Sequence, residues 1–285
     1  KIILNTIQTY SITTLQMVPI TIMDLIEFPD VNRYDFSSLR TIFYATAPMP
    51  LRPLNKAIDI FGNIFMQPYG LTETGPNVTC LRRKDHNISG LSDEEAQKRL
   101  KSCGRPCYGI FLKIVDEKGQ EVPPGAVGEI KVKSMDMMTG YWNNEEETRK
   151  TIKDGWLFTG DLATYDDDYY IYLVDRKKDM IISGGLNIYP AEVERVIYEH
   201  PKISECAVIG VPHDRWGEEV KAFVVSKGGQ QVAENDIIEF CKESLASYKK
   251  PKSVNFLDGL PRNPQGKILK RVLREKYWKD RGREI

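Results

Sequence analysis

A strand–helix–strand alternation near the start of the chain restricts its fold more than any other feature. The runs LRTIFYATAP (39–48) and NIFMQPYG (63–70) read as strands that end in loops. Between them, PLRPLNKAIDIFG (50–62) carries Leu54, Ile58 and Phe61 at helical spacing, and Gly62 stops the helix. Two strands joined by one helix over so short a span predict a βαβ unit and a parallel sheet. Ligands in such sheets sit beyond the carboxyl ends of the strands. The segments ATAP (45–48) and YGLTETG (69–75) fall there.

The pattern changes after about residue 105. FLKIVDEKGQEV (111–122) reads as a hairpin turning at EKGQ, and GEIKVKS (128–134) as an alternating strand. DLATYDDDYYIYLVDR (161–176) reads as a second hairpin turning at Asp166–Asp168. A third pattern follows Arg176. A helix is expected from Pro190, a residue suited to a first helical position, with Val193, Val196 and Ile197 on its apolar face. The strands SECAVIGVP (204–212) and EVKAFVVS (219–226) come next, then a helix with Ile237, Ile238, Cys241 and Leu245 on one side. The fold class expected is therefore α/β and α+β. A partial α/β parallel-sheet lobe covers 1–105, a small antiparallel β subdomain 106–177, and a small α+β C-terminal domain 178–285.

Composition narrows the function classes. The 285 residues suit about two domains. Forty basic and forty acidic residues cancel, so no global field draws the chain to nucleic acid or an anionic membrane. No apolar run is long enough to span a bilayer. Five cysteines without C-x-x-C spacing read as reduced, mostly buried thiols, the usage of a cytoplasmic protein. His86, His200 and His213 form no metal motif, and G-x-S-x-G is absent, which removes the case for a hydrolase triad.

Four stretches carry candidate chemistry. In YGLTETG, Thr72 and Glu73 sit side by side where a strand gives way to a loop. A hydroxyl and a carboxylate there can hold a phosphate oxygen and a Mg²⁺ ion, or simply cap backbone amides. WLFTGDLA (156–163) places Asp161 after a Thr-Gly turn between strands, where it can accept ribose hydroxyls or make an Asx turn. VDRKKDMIISGGLNIYPAEVE (174–194) carries Arg176 and Gly184-Gly185, an approach point for a thin ligand or an interdomain turn. PRNPQGKILKR (261–271) holds Lys267 behind a stiff turn. It is not a phosphate loop, because the Gly259-to-Gly266 spacing is too long and Ile268 replaces the required Ser/Thr.

These stretches, with GEIKVKSMDMMTGYW (128–142) between the first two, occur in one order. Together they resemble the AMP-forming acyl-CoA synthetases of the adenylate-forming superfamily, and the YKKP and PAEVE spellings are most similar to fatty-acid CoA ligases. The resemblance implies ATP-dependent activation of a carboxylic acid, of the fatty-acid class, through an acyl-adenylate to a coenzyme A thioester, with Mg²⁺. It implies that ATAP, residues Ala45, Thr46, Ala47 and Pro48, lies beside the adenine, and that Tyr69, next to Gly70, packs on the ring. It implies a phosphate contact at Thr72, a Mg²⁺ ligand at Glu73, and a ribose-binding pair in Asp161 and Arg176. Lys178 matches the hinge of a mobile C-terminal domain. Gly184-Gly185 matches the approach to the pantetheine tunnel, and Lys267 the lysine that bridges the acyl carboxylate and the α-phosphate.

The resemblance covers only the C-terminal half of such an enzyme, and the Ser/Thr/Gly-rich phosphate loop expected upstream is absent. The partner expected beside the small carboxylic acid is therefore the N-terminal half of the same protein. Asn187 stands where many members have arginine, and Ala45-Thr46 replaces a glycine-rich pair. Two other readings stay open: a ligase for an aromatic or short branched acid, and a non-catalytic chain that binds nucleotide or coenzyme A.

Overall fold

The computed structural model describes residues 1–45, 49–88, 90–263 and 266–279. They form two compact units, one up to Leu173 and one from Val174 onward.

Unit 1 opens with α1 (Ile2–Tyr10), β1 (Thr14–Met17), α2 (Pro19–Ile26), β2 (Thr41–Tyr44), α3 (Leu51–Phe61), β3 (Phe65–Leu71) and β4 (Gly75–Leu81). It continues with α4 (Asp93–Lys101), β5 (Arg105–Pro106), β6 (Phe111–Val115), β7 (Gly128–Lys133), α5 (Glu145–Thr151), β8 (Ile152–Lys153) and β9 (Trp156–Tyr165). β10 (Ile171–Arg176) runs across the boundary between the units. The first sheet has the order β1-β2-β3-β4-β5. β1, β2 and β3 are parallel, as the strand–helix–strand pattern requires, and β4 and β5 extend the sheet antiparallel. Its core gathers Leu4 and Ile7 of α1, Ile22 of α2, Ile42 of β2, Leu54 of α3 and Phe65 of β3. Helical spacing put Leu54 and Phe61 on the buried face, and both are buried.

The second sheet has the order β10-β9-β7-β6, with β8 on β9. Two expectations change here. The segment 111–122 is not a full hairpin: its second arm is a single bridge, Val115 to Glu121, and β6 pairs instead with β7. Pro123-Pro124 explains this, because proline has no amide to continue a ladder. Thr159-Gly160 is not a turn between strands either. β9 runs unbroken through it, and the register against β7 shifts between Glu129 and Lys131. The feature is a bulge, with Gly160 at φ 70°.

Unit 2 contains β11 (Ile181–Ser183), β12 (Leu186–Ile188), α6 (Pro190–Glu199), β13 (Ile203–His213), β14 (Gly217–Ser226), α7 (Glu234–Ser244), β15 (Ser253–Phe256) and α8 (Lys270–Trp278). The sheet order is β12-β11-β14-β13, with β15 parallel to β14. The run CAVIGV is apolar without alternation because both faces of β13 are covered. Cys206 and Val208 pack with Val193, Val196 and Ile197 of α6 and Ile237 and Cys241 of α7. Ala207, Ile209 and Val211 pack on the other face with Leu273 of α8.

Polar ties fix the helices of unit 2. Asp175 accepts the Ala191 amide at 2.8 Å, at the first turn of α6. Arg274 of α8 pairs with Asp179 at 2.6 Å, and Lys270 with Glu194 of α6 at 2.7 Å. Glu194 also accepts the Val208 amide. Burial raises the Glu194 carboxyl above the usual carboxylate range, against the opposing pull of Lys270.

Two stability tests follow from these contacts. A Cβ on Gly70 would fall on the Gly75 carbonyl and 2.7 Å from the Pro76 carbonyl carbon. Gly70→Ala is expected to lose at least about 2 kcal/mol, seen as a lower urea midpoint. Lys270→Met leaves Glu194 buried without its cation and is expected to cost about 3 kcal/mol near neutral pH. Because the folded-state carboxyl is shifted up, its protonated form favours the fold, so stability is retained at acid pH and lost as pH rises through the shifted value. The Lys270→Met deficit should therefore shrink toward about pH 4 in urea titrations, and Glu194→Gln in the same chain should remove the pH dependence.

Candidate functional site

The carboxyl end of β3 supplies the first part of the site. β3 ends at Leu71, a turn follows over residues 72–74, and β4 returns antiparallel. Thr74 closes this turn: its Oγ1 accepts the Leu71 amide at 2.9 Å, and its hydroxyl reaches the Gly75 carbonyl at 3.0 Å. Thr74 is fully buried, whereas Thr72 is exposed and Glu73 half-buried. The backbone duty that Thr72 and Glu73 could have served is thus met by Thr74, and their side chains are left at the rim.

Glu73 is held from two sides. The Met138 amide donates to its carbonyl at 2.8 Å, and the Tyr141 hydroxyl donates to Oε1 at 2.9 Å. Burial first, and then the bond to Glu73, raises the pKa of Tyr141, which keeps the phenol protonated and a donor. Mg²⁺ is commonly held by one or two carboxylates plus substrate phosphates rather than by a protein cage. One positioned carboxylate beside an exposed hydroxyl fits that donor set. Among the described residues no cluster of three or more His, Cys, Asp or Glu could hold a metal ion alone.

The bulge in β9 supplies the second part. The Thr159 hydroxyl donates to the Ile130 carbonyl at 2.9 Å and accepts the Asp161 amide at 3.1 Å. The Gly160 amide donates to Glu129 Oε1 at 3.2 Å. Asp161 is only 6% exposed. Its Oδ2 accepts the Tyr69 hydroxyl at 2.6 Å, across 92 residues of sequence. Burial, followed by the Asp161 charge, pushes the Tyr69 pKa far upward, so its hydroxyl stays protonated.

Tyr69, Thr72, Glu73 and Asp161 thus belong to one unit, and the structure joins Tyr69 directly to Asp161. Gly70 has a packing role, since β4 backbone occupies the space a side chain would need. Ala45 follows β2 and is half-buried, while Thr46, Ala47 and Pro48 lie outside the described residues. His86 is a structural group: Nδ1 donates to the Arg82 carbonyl, which leaves Nε2 to accept the Tyr44 hydroxyl at 2.9 Å. The five cysteines are free thiols, four of them buried.

The remaining candidates lie in unit 2. Arg176 ends β10, its amide donating to Asp175 Oδ1. Lys178 is exposed in the short 3₁₀ turn Lys177–Asp179. Gly184 and Gly185, at φ 59° and 80°, make the two-residue connection between β11 and β12. Gly184 abuts the Trp216 ring, and its amide donates to the Trp216 carbonyl. Asn187 pairs with Ile182 in the same hairpin. Lys267 is exposed on a turn closed by the Arg262–Ile268 bridge. Asn263 Oδ1 accepts the Lys267 amide at 2.8 Å, and Arg262 ties the turn to Glu205 of β13.

Sequence reasoning did not find Tyr141, Thr74, Thr159 or Glu129. Tyr141 stood in the quoted run ending GYW, but a tyrosine in a polar loop has no periodicity to mark its target. The partners of Asp161 are invisible until the bulge is built.

The AMP-binding enzyme family matches over residues 1–142, and the AMP-binding enzyme C-terminal domain over residues 192–267. The chain is 39% identical to the fatty acid–[acyl-carrier-protein] ligase ScoC of Streptomyces coeruleorubidus, over 98% of this chain and 52% of that protein. It is 40% identical to the medium/long-chain-fatty-acid–CoA ligase FadD8 of Mycobacterium tuberculosis, over 99% and 49%. The structure of O-succinylbenzoate coenzyme A synthetase from Bacillus subtilis, in complex with AMP, superposes with a TM-score of 0.81 at 34% identity, covering 95% of this chain and 52% of that one. The chain spans about half the length of the curated relatives it matches. With both of the family's domains recognised in order along it, the chain belongs to the AMP-binding enzyme family.

Proposed function

We propose that the protein activates a carboxylic acid, of the fatty-acid class, with ATP and passes the acyl group to the thiol of coenzyme A. The observation that carries the reading is the pairing of Tyr69 with the buried Asp161 beside the Glu73 turn, in a chain of this family. ScoC and FadD8 both have fatty-acid ligase names, which supports the acyl class. The succinylbenzoate enzyme supports an aromatic acid as the second reading.

Each residue then has a chemical task. The Tyr69 ring seats the adenine, Asp161 accepts the ribose hydroxyls, and Arg176 donates to the ribose oxygens. Thr72 contacts a phosphate oxygen, and Glu73, held by Tyr141, would hold the Mg²⁺, which supplies charge neutralisation for the leaving pyrophosphate. A carboxylate oxygen of the acid bonds to the α-phosphorus as the bond to pyrophosphate breaks. Two anions meet in this step, so a cation at the α-phosphate lowers the barrier. Lys267 is the group assigned that task, as a compact charge on a long stem. In the second step the thiol sulfur bonds to the acyl carbon as the bond to AMP breaks, AMP departs with the bonding pair, and the thiol proton passes to water. Lys178 is assigned as the pivot between the two steps and Gly184-Gly185 as the approach of the pantetheine arm.

Two measurements test the reading. Pyrophosphate release by the intact gene product over a panel of fatty and aromatic acids identifies the substrate class, and no release with any acid overturns the ligase function. Lys267→Ala is expected to slow adenylation by about a hundredfold or more while leaving the thiol step from supplied acyl-adenylate nearly unchanged. Full-speed adenylation by that variant removes Lys267 from the mechanism.

A further inference from the structure

The bond between Tyr69 and Asp161 joins two groups to which the proposed function gives separate tasks. Tyr69 lies on β3 of the first sheet and Asp161 on β9 of the second. Their 2.6 Å separation is that of a charge-assisted O–H···O⁻ bond, about twice as strong as a neutral one. The phenol stays protonated through its burial and the neighbouring charge. A tyrosine is a rigid donor, with two side-chain torsions, so it fixes what it touches at little entropic cost. The Tyr69 bond falls on one carboxylate oxygen, Oδ2. The Asp161 backbone is set separately, by Thr159 through the bulge.

We infer that Tyr69 is a positioning residue for sugar recognition: its hydroxyl orients the Asp161 carboxylate toward the ribose, so base seat and sugar reader act as one coupled element. The inference rests on the nucleotide site proposed above. Its signature is specific. Loss of the hydroxyl should weaken binding of a nucleotide that has both ribose hydroxyls and spare one that lacks them, because the ring beneath the base remains.

The test is equilibrium binding of AMP and 2′,3′-dideoxy-AMP to the chain and to its Tyr69→Phe, Asp161→Asn and doubly substituted forms. The unsubstituted chain is expected to prefer AMP by well over tenfold. Tyr69→Phe should lower that preference about tenfold with dideoxy-AMP affinity unchanged. Asp161→Asn should remove most of the preference, and adding Tyr69→Phe to it should change nothing further. A Tyr69→Phe chain that keeps the full preference, or that loses affinity equally for both nucleotides, overturns the inference and leaves the nucleotide site standing. Failure of the unsubstituted chain to bind AMP, or a preference indifferent to Asp161→Asn, overturns the site itself and the inference with it. Should Tyr69→Phe not fold, Asp161→Glu gives the same reading, since a longer side chain moves the carboxylate off the phenol; an unchanged preference there overturns the inference.

Discussion

Unit 1 depends on a polar seam between two sheets. Buried polar groups are costly unless paired, so a seam of this kind persists only where its partners meet closely. Tyr69 reaches Asp161 across it. The Thr79 hydroxyl donates to the Cys103 carbonyl at 2.6 Å, and the amides of Cys103 and Ile171 exchange bonds with the carbonyls of Ile171 and Gly104. Val78, Ile114, Ile130 and Ala163 surround these groups with apolar contacts and keep water from competing for them. Tyr69 and Asp161 are therefore part of the same network that closes the lobe. They are precise because the fold requires them to be.

Much of this organisation was legible in the sequence, and the reason differs by element. The spacing of Leu54, Ile58 and Phe61 gave α3, and the strands on either side of it are parallel. Pro190 marked the first turn of α6, since its fixed φ and missing amide suit that position. The unalternating CAVIGV run is explained by apolar cover on both faces of β13. These are local periodicities, and local periodicity is what a sequence displays.

The elements that were misread turn on pairing partners. Thr-Gly-Asp has the composition of a turn, but pairing of β9 with β7 overrides it and makes a bulge. The segment after Gln120 has hairpin spelling, but two prolines deny it a ladder. Tyr141 and Glu73 are 68 residues apart, and Tyr69 and Asp161 are 92 apart. No spacing rule reaches across such intervals. Family resemblance named the individual residues, whereas the hydrogen bonds that hold them had to come from the three-dimensional arrangement.

The two-sided cover of β13 has an evolutionary consequence. Residues of unit 2 itself, on α6, α7 and α8, seal both surfaces of that strand. A body that carries its own apolar core on both faces of its central strand can be inherited as a cassette, moved by recombination as one piece.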